Sequence, residues 1–89
     1  MSQAIVDPEE LRSFARNLRR FNNELRERAN SLANQLTTLG ASWRDQEHAK
    51  FSEQFQEHMK VIARFSEATE EYIPYLVRKA EYIEQYQQS

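Results

Sequence analysis

The sequence predicts an all-α fold in a single domain spanning 1–89: two long amphipathic helices joined by a short turn and folded back as an antiparallel helix-turn-helix hairpin. Three observations carry this. Gly and Pro together supply three of 89 residues while charged residues supply 29%, a helix-like balance rather than that of a disordered or β-rich chain. Leu recurs every seven residues at Leu11, Leu18, Leu25, Leu32 and Leu39. The only Gly and the only Trp, Gly40 and Trp43, stand three apart in LGASWRDQEHAKFSEQF (39–55), with helical patterning on both sides.

The first helix is expected over about 8–39. Asp7-Pro8-Glu9-Glu10 offers an N-cap, a Pro at the first helical position and a Glu three after the cap. Phe14 and Phe21 fill the three-residue offsets of the Leu repeat, and Ala15, Ala29 and Leu36 the four-residue ones, giving one apolar stripe of helical period. Gly40 follows the last Leu, where a positive φ stops a helix without steric cost.

A turn over 40–43 then leads to a second helix over about 44–86. Ser42 is the expected cap, with Asp45 complementing the helix dipole. The second stripe runs Phe51, Phe55, Met59, Ile62, Phe65, Thr69, Tyr72 and Leu76, flanked by His48 and His58. Pro74 removes one backbone hydrogen bond, so a kink is expected there; the spacing resumes through Ile73, Leu76, Ala80 and Ile83.

Folding the chain about residues 41–42 pairs positions whose numbers sum to about 83. Leu11 then faces Tyr72, Phe14 faces Thr69, Leu18 faces Phe65, Phe21 faces Ile62 and Leu32 faces Phe51. The same register sets Arg12 near Glu70 and Glu71, Arg16 near Glu67, and Arg26 near Glu57. Trp43 closes the open end of the hairpin on Leu36, Leu39 or Phe51. On this reading the small flank Ala15, Asn22, Ala29 and Leu36, with Met59, Ser66 and Ile73 on the second helix, faces outward and admits a second hairpin. One hairpin of this size is marginal, so dimerisation into a four-helix bundle is expected, as a homodimer or with a related hairpin.

Other functions find little support. The formal net charge is −2, with six bases against five acids over 1–39 and six against nine from Trp43 onward. Arg12, Arg16, Arg19, Arg20 and Arg26 could grip phosphates, but the acids on the second helix make a salt-bridged face the better reading, with no nucleic acid. Asp45 and His48 lie one turn apart, yet the repeated Glu-x-x-His of a bundle metal site is missing, so no metal or cofactor is expected. With no Cys, no Gly-rich phosphate loop and Ser only at caps and exposed positions, no catalytic residue is expected and the chain reads as a non-enzyme. No segment approaches the roughly 20 apolar residues of a membrane span, and the N-terminus lacks the features of a secretory signal.

The central Trp43, Phe51 eight residues on, Phe55 four after that, and the helix–turn–helix length together resemble the WXG100 (ESAT-6-like) family. The resemblance covers nearly the whole chain. It implies a hairpin that pairs with itself or a related chain as a four-helix bundle, and acts as a substrate or carrier partner in type VII (ESX-like) secretion. Location is then either outside the cell, reached without a signal peptide, or the cytoplasm, as a structural adaptor. Trp43 matches the family Trp, while Asp45 occupies the family Gly, so the motif reads Trp-Arg-Asp. The family's export signal, Tyr followed four residues later by Asp or Glu, is missing: Tyr72 is followed by Leu76, Tyr75 by Lys79, and Tyr82 by Tyr86. In the register of 83, residues 76–89 overhang the first helix by roughly 20 Å. Leu76, Tyr82, Ile83 and Tyr86 ride on that overhang, covered only by Ala4, Ile5 and Val6, as an expected docking tail for the second protomer or secretion machinery.

Overall fold

The computed structural model describes residues 6–88, which form an antiparallel helical hairpin, α1 (Pro8–Leu39) against α2 (Gln46–Glu70) and α3 (Tyr72–Gln88). Ala4 and Ile5, expected to cover the tail, lie outside the described residues. The molecule is a rod of 67 × 21 × 17 Å with a radius of gyration of 20.1 Å. A compact chain of this length would have about 12 Å.

Local chemistry sets the helix ends. Asp7 Oδ1 accepts the Glu9 N–H at 2.9 Å, and Pro8 sits where a missing N–H is harmless. At the other end Gly40 is right-handed, φ −61°, not left-handed as the sequence suggested, and no described residue has positive φ. The chain leaves α1 through tightening turns instead: Ala41 N–H bonds the Thr38 carbonyl, and Ser42 and Trp43 N–H both bond that of Leu39. Gly40 is needed for a different reason. A Cβ there would lie 3.1 Å from the Thr37 carbonyl and 3.2 Å from His48 Cε1, so its absence makes room for the His48 ring.

The connection is longer than expected, Gly40 to Asp45 rather than 40–43, and Asp45 caps α2 in place of Ser42. Asp45 Oδ1 accepts the His48 N–H at 3.2 Å, whereas the Ser42 hydroxyl donates back to the Leu39 carbonyl of α1. The rod of α2 and α3 is interrupted only at Glu71, itself in right-handed conformation, whose N–H bonds the Ala68 carbonyl. Pro74 explains the position: it falls in the first turn of α3, and its ring leaves the Glu70 carbonyl without a helical donor.

The register differs from the expected one. Asn22 bonds Thr69 along the centre of the seam, in a ladder whose paired numbers sum to 91. Arg12–Glu84 and Arg26–Glu70 form one flank, fourteen residues apart on each side, and the Phe21–Phe65 ring pair forms the other. The expected neighbours of Arg12 and Arg26 are thus displaced by nearly two heptads, to Glu84 and Glu70. The six-residue connection is the cause, since it carries the start of α2 about 9 Å past the end of α1, to bring Leu39 level with Ser52.

This ladder also reverses which stripe is inside. The seam buries Pro8, Ala15 and Asn22 of α1 against Ser66, Thr69, Ile73 and Ala80. Two helices have only one line of contact, and small residues let their backbones close along it. Ala15, Asn22, Ser66 and Ile73 of the flank expected to face outward are therefore the hairpin's interior, while Phe14, Phe21, Leu32, Phe51 and Phe65 of the stripe expected to lie inside line the outer edge and Leu11, Leu18 and Leu25 are half-buried beside the seam. The tail is corrected too. Leu76 lies level with Ala15, Ala80 is fully buried, and Arg12 holds Glu84, so only about the last five described residues pass the start of α1.

Candidate protein-binding face

Along the edge marked by Phe21 and Phe65, large apolar side chains stand half in water. Phe14 is 57% exposed, Phe21 and Phe65 are each 49%, Tyr72 is 55%, and Leu32, Leu39 and Phe51 continue the row toward the turn at about half exposure. Phe21 and Phe65 meet edge to face at 6.4 Å, the favoured geometry for an aromatic pair. Arg28 and His58 fall one heptad on from that pair along α1 and one heptad back along α2, both exposed, on the same edge.

The turn contributes the end of this face. Trp43, half-buried, meets Phe51 at 5.9 Å and His48 at 5.0 Å, and Phe51 continues to Phe55 at 6.1 Å. His48 also approaches the Leu36 carbonyl through Nε2 at 3.4 Å, tying the start of α2 to the last turn of α1. Gly40, Trp43 and Asp45 thus act together, by making room for a ring, supplying one, and capping the helix that carries it.

The opposite edge is polar where the seam is closed. Asn22 Nδ2 donates to Glu70 Oε2 at 2.8 Å, Thr69 donates to Asn22 Oδ1 at 3.0 Å, and Arg26 Nε donates to Ser66 Oγ at 3.0 Å. Arg12 grips Glu84 through both nitrogens, with Nη1 at 2.7 Å from Oε2. That bond from Arg12 holds the Glu84 carboxyl below its ordinary value, against the opposing effect of desolvation, and raises the Arg12 guanidinium further above its own. Toward the turn this edge opens into a cleft of about 650 Å³ lined by Ala33, Leu36, His48, Phe55, Met59 and Ala63, among others.

Of the residues expected to pack the hairpin and dimer, Leu11, Leu18, Leu25, Ala29, Leu36, Phe55, Met59 and Ile62 are half-buried, and Phe14, Phe21, Leu32, Phe51 and Phe65 are exposed. In the tail Leu76 and Ile83 are half-buried against the hairpin, while Tyr82 and Tyr86 are exposed. Sequence reasoning missed the polar clasp of Asn22, Ser66, Thr69 and Glu70. The available signal was the seven-residue row Pro8, Ala15, Asn22, Ala29, Leu36 answered by Ser52, Met59, Ser66, Ile73, Ala80. Among the described residues no helix is long and apolar enough to cross a membrane, and no group of three or more His, Cys, Asp or Glu is placed to hold a metal.

No curated protein matches the chain. The family described as proteins of 100 residues with WXG, WXG100, matches it over residues 3–88, the span that contains both arms of the hairpin and the Trp43 turn. The chain belongs to the WXG100 family.

Proposed function

We propose that this protein is a protein-binding module that works as half of a four-helix bundle, joined to another hairpin through the aromatic edge. The observation that carries this is surface. The chain exposes 7450 Å², whereas a compact monomer of its mass exposes about 5500 Å². Five half-exposed aromatic rings on one edge amount to roughly 500 Å². With Leu32, Leu39 and Val61 the patch nears the roughly 800 Å² per partner of a stable complex, and exceeds what monomers usually leave open. The placement of this function in type VII (ESX-like) secretion, as exported substrate or carrier partner, is supported by family membership.

Sedimentation velocity at micromolar concentration tests the module. Association of the hairpin, with itself or with a related hairpin, is expected, and Phe21→Glu should abolish it; a cooperatively folded monomer indifferent to that substitution overturns the reading. The secretion setting is tested by its appearance in the medium of cells with and without the export ATPase. The second reading, a cytoplasmic adaptor that pairs but is not exported, is favoured by one observation: none of Tyr72, Tyr75 or Tyr82 has an acid four residues on. Equal amounts in the medium of both strains would support it.

A further inference from the structure

The edge away from the aromatic rings carries a repeat with one member missing. Arg12 holds Glu84, and Arg26 holds Glu70. Midway between these pairs, seven residues from each, stand Arg19 on α1 and Val77 on α3. The place of a third ion pair is thus taken by an arginine opposite a valine. Arg16 lies beside Arg19 on the next row outward. Together with Ala15, Ile73 and Val77 they line a notch of about 110 Å³, which Arg12 also borders.

Among the described residues, Arg16 and Arg19 make no hydrogen bond or ion pair, and both are exposed. The sequence accounts for this. One turn to either side of them α1 offers Arg12, Ser13, Ala15, Arg20, Asn22 and Asn23, with no carboxylate. On α3, Glu84 is already held by Arg12, and at the end of α2 Glu70 is held by Arg26. Glu81 is level with Arg16 on an outer row but does not line the notch and makes no ion pair with it. Arg12, Arg16 and Arg20 meanwhile follow at four-residue spacing, and like charges so placed on a helix repel. A carboxylate brought from outside relieves that repulsion and completes the row.

The notch also limits what can bring it. Its volume is below the roughly 150 Å³ that holds a benzene, and well below the roughly 300 Å³ at which small-molecule sites begin. That is room for one side chain of a larger partner. The floor is apolar, with Ala15 and Ile73 buried and Val77 half-buried, and suits methylene groups. Glutamate carries two methylenes beneath a carboxylate that two guanidinium groups at the rim can share through charge-assisted bonds. A polyanion fits worse, because phosphates spread along this edge would meet Glu84, Glu81 and Glu70 as well.

We infer that Arg16 and Arg19 form a receptor for a glutamate side chain of a partner protein, seated on Ala15, Ile73 and Val77 where the third ion pair is missing. The site lies on the edge opposite the aromatic one and does not depend on the bundle reading. A hairpin paired through its aromatic edge keeps it free for a further, acidic partner.

The probe is a blocked, alanine-rich helical peptide, neutral except for one central glutamate, titrated into the isotope-labelled hairpin. Saturable NMR shifts at the Ile73 and Val77 methyls and at Arg16 and Arg19 Nε are expected, with a Kd on the order of 1 mM, as befits a single side chain. The same peptide with glutamine should bind at least about tenfold more weakly, the worth of one charge-assisted bond. Arg16→Gln with Arg19→Gln, both at exposed positions, should lose the glutamate preference. Val77→Glu supplies the missing acid from within and should lose binding too, once circular dichroism confirms its helices. Phe21→Glu, on the other edge, should change nothing. Equal binding of the two peptides, an unaltered affinity in the double variant, or no shift at ten times the expected Kd overturns the inference. So does loss of binding in Phe21→Glu, which would place the peptide on the aromatic edge. Inorganic phosphate shifting the same residues more strongly than the glutamate peptide would make this a phosphate site and also overturn it.

Discussion

Asn22→Ala removes the centre of the polar clasp, and the cost follows from the groups left behind. Asn22 is fully buried and makes two bonds, to Glu70 and from Thr69. A hydrogen bond to a carboxylate is worth about 1.5–3 kcal/mol. The lower value applies, because Glu70 stays partly exposed and keeps Arg26 at 3.3 Å. Thr69 is not orphaned either, since its hydroxyl has the Phe65 and Ser66 carbonyls within reach, so that bond contributes about 0.5–1 kcal/mol. The vacated amide leaves a small void between Ala15 and Ala29 levels, adding up to about 1 kcal/mol. The expected loss is about 3 kcal/mol, which for a chain of this size lowers Tm by roughly 10–20 °C. Urea denaturation followed by helical circular dichroism, at equal protein concentration because pairing adds apparent stability, measures it. A loss under about 0.5 kcal/mol would refute the reasoning and show that the seam is held by its small apolar residues alone. A cycle with Thr69→Val should recover a coupling of about 1 kcal/mol.

Trp43→Ala should destabilise by about 1–3 kcal/mol, below the usual cost of emptying an aromatic core site because the ring is half-buried; an unchanged Tm would assign Trp43 to partner binding alone. Asp45→Ala should cost about 1 kcal/mol through the lost cap on His48 N–H, whereas Ser42→Ala should cost only a few tenths; equal effects would contradict the assignment of the cap. The pH dependence follows from Glu84, whose carboxyl is held below its ordinary 4.5 by Arg12. Its contribution is present above that value and lost as pH falls through the depressed one, so an acid titration of Tm should flatten in Glu84→Gln; an identical acid limb in both proteins would exclude the pair as a source of stability. Truncation after Val77 removes the apolar burial of Ala80 and Ile83, a loss of about 1–3 kcal/mol that should lower Tm by at least several degrees, and with it the Arg12–Glu84 contact; an undiminished Tm would return the segment to the status of a free tail.

Much of the fold was legible in the residues. Asp7-Pro8 marks the start of α1, the Leu repeat its length, and Pro74 the break between α2 and α3 within a few positions, because caps and ring sterics are local. The central Trp43 with Phe51 and Phe55 pointed to the family that residues 3–88 match. The candidate face was half legible: Phe14, Phe21, Phe51 and Phe65 stood out, but as interior residues.

What only the tertiary structure decided was register and side. A seven-residue repeat fits its partner nearly as well after a shift of one heptad, so the pattern alone does not choose between ladders of 83 and 91. The choice is made by the six residues from Gly40 to Asp45 and by the one alignment that lets buried Asn22 meet Thr69 and Glu70. Size likewise misleads as a guide to burial here. The two arms share a single seam, which closes most tightly on Ala15, Ser66 and Ala80, and the larger rings are left on the edge because no further helix among the described residues covers them.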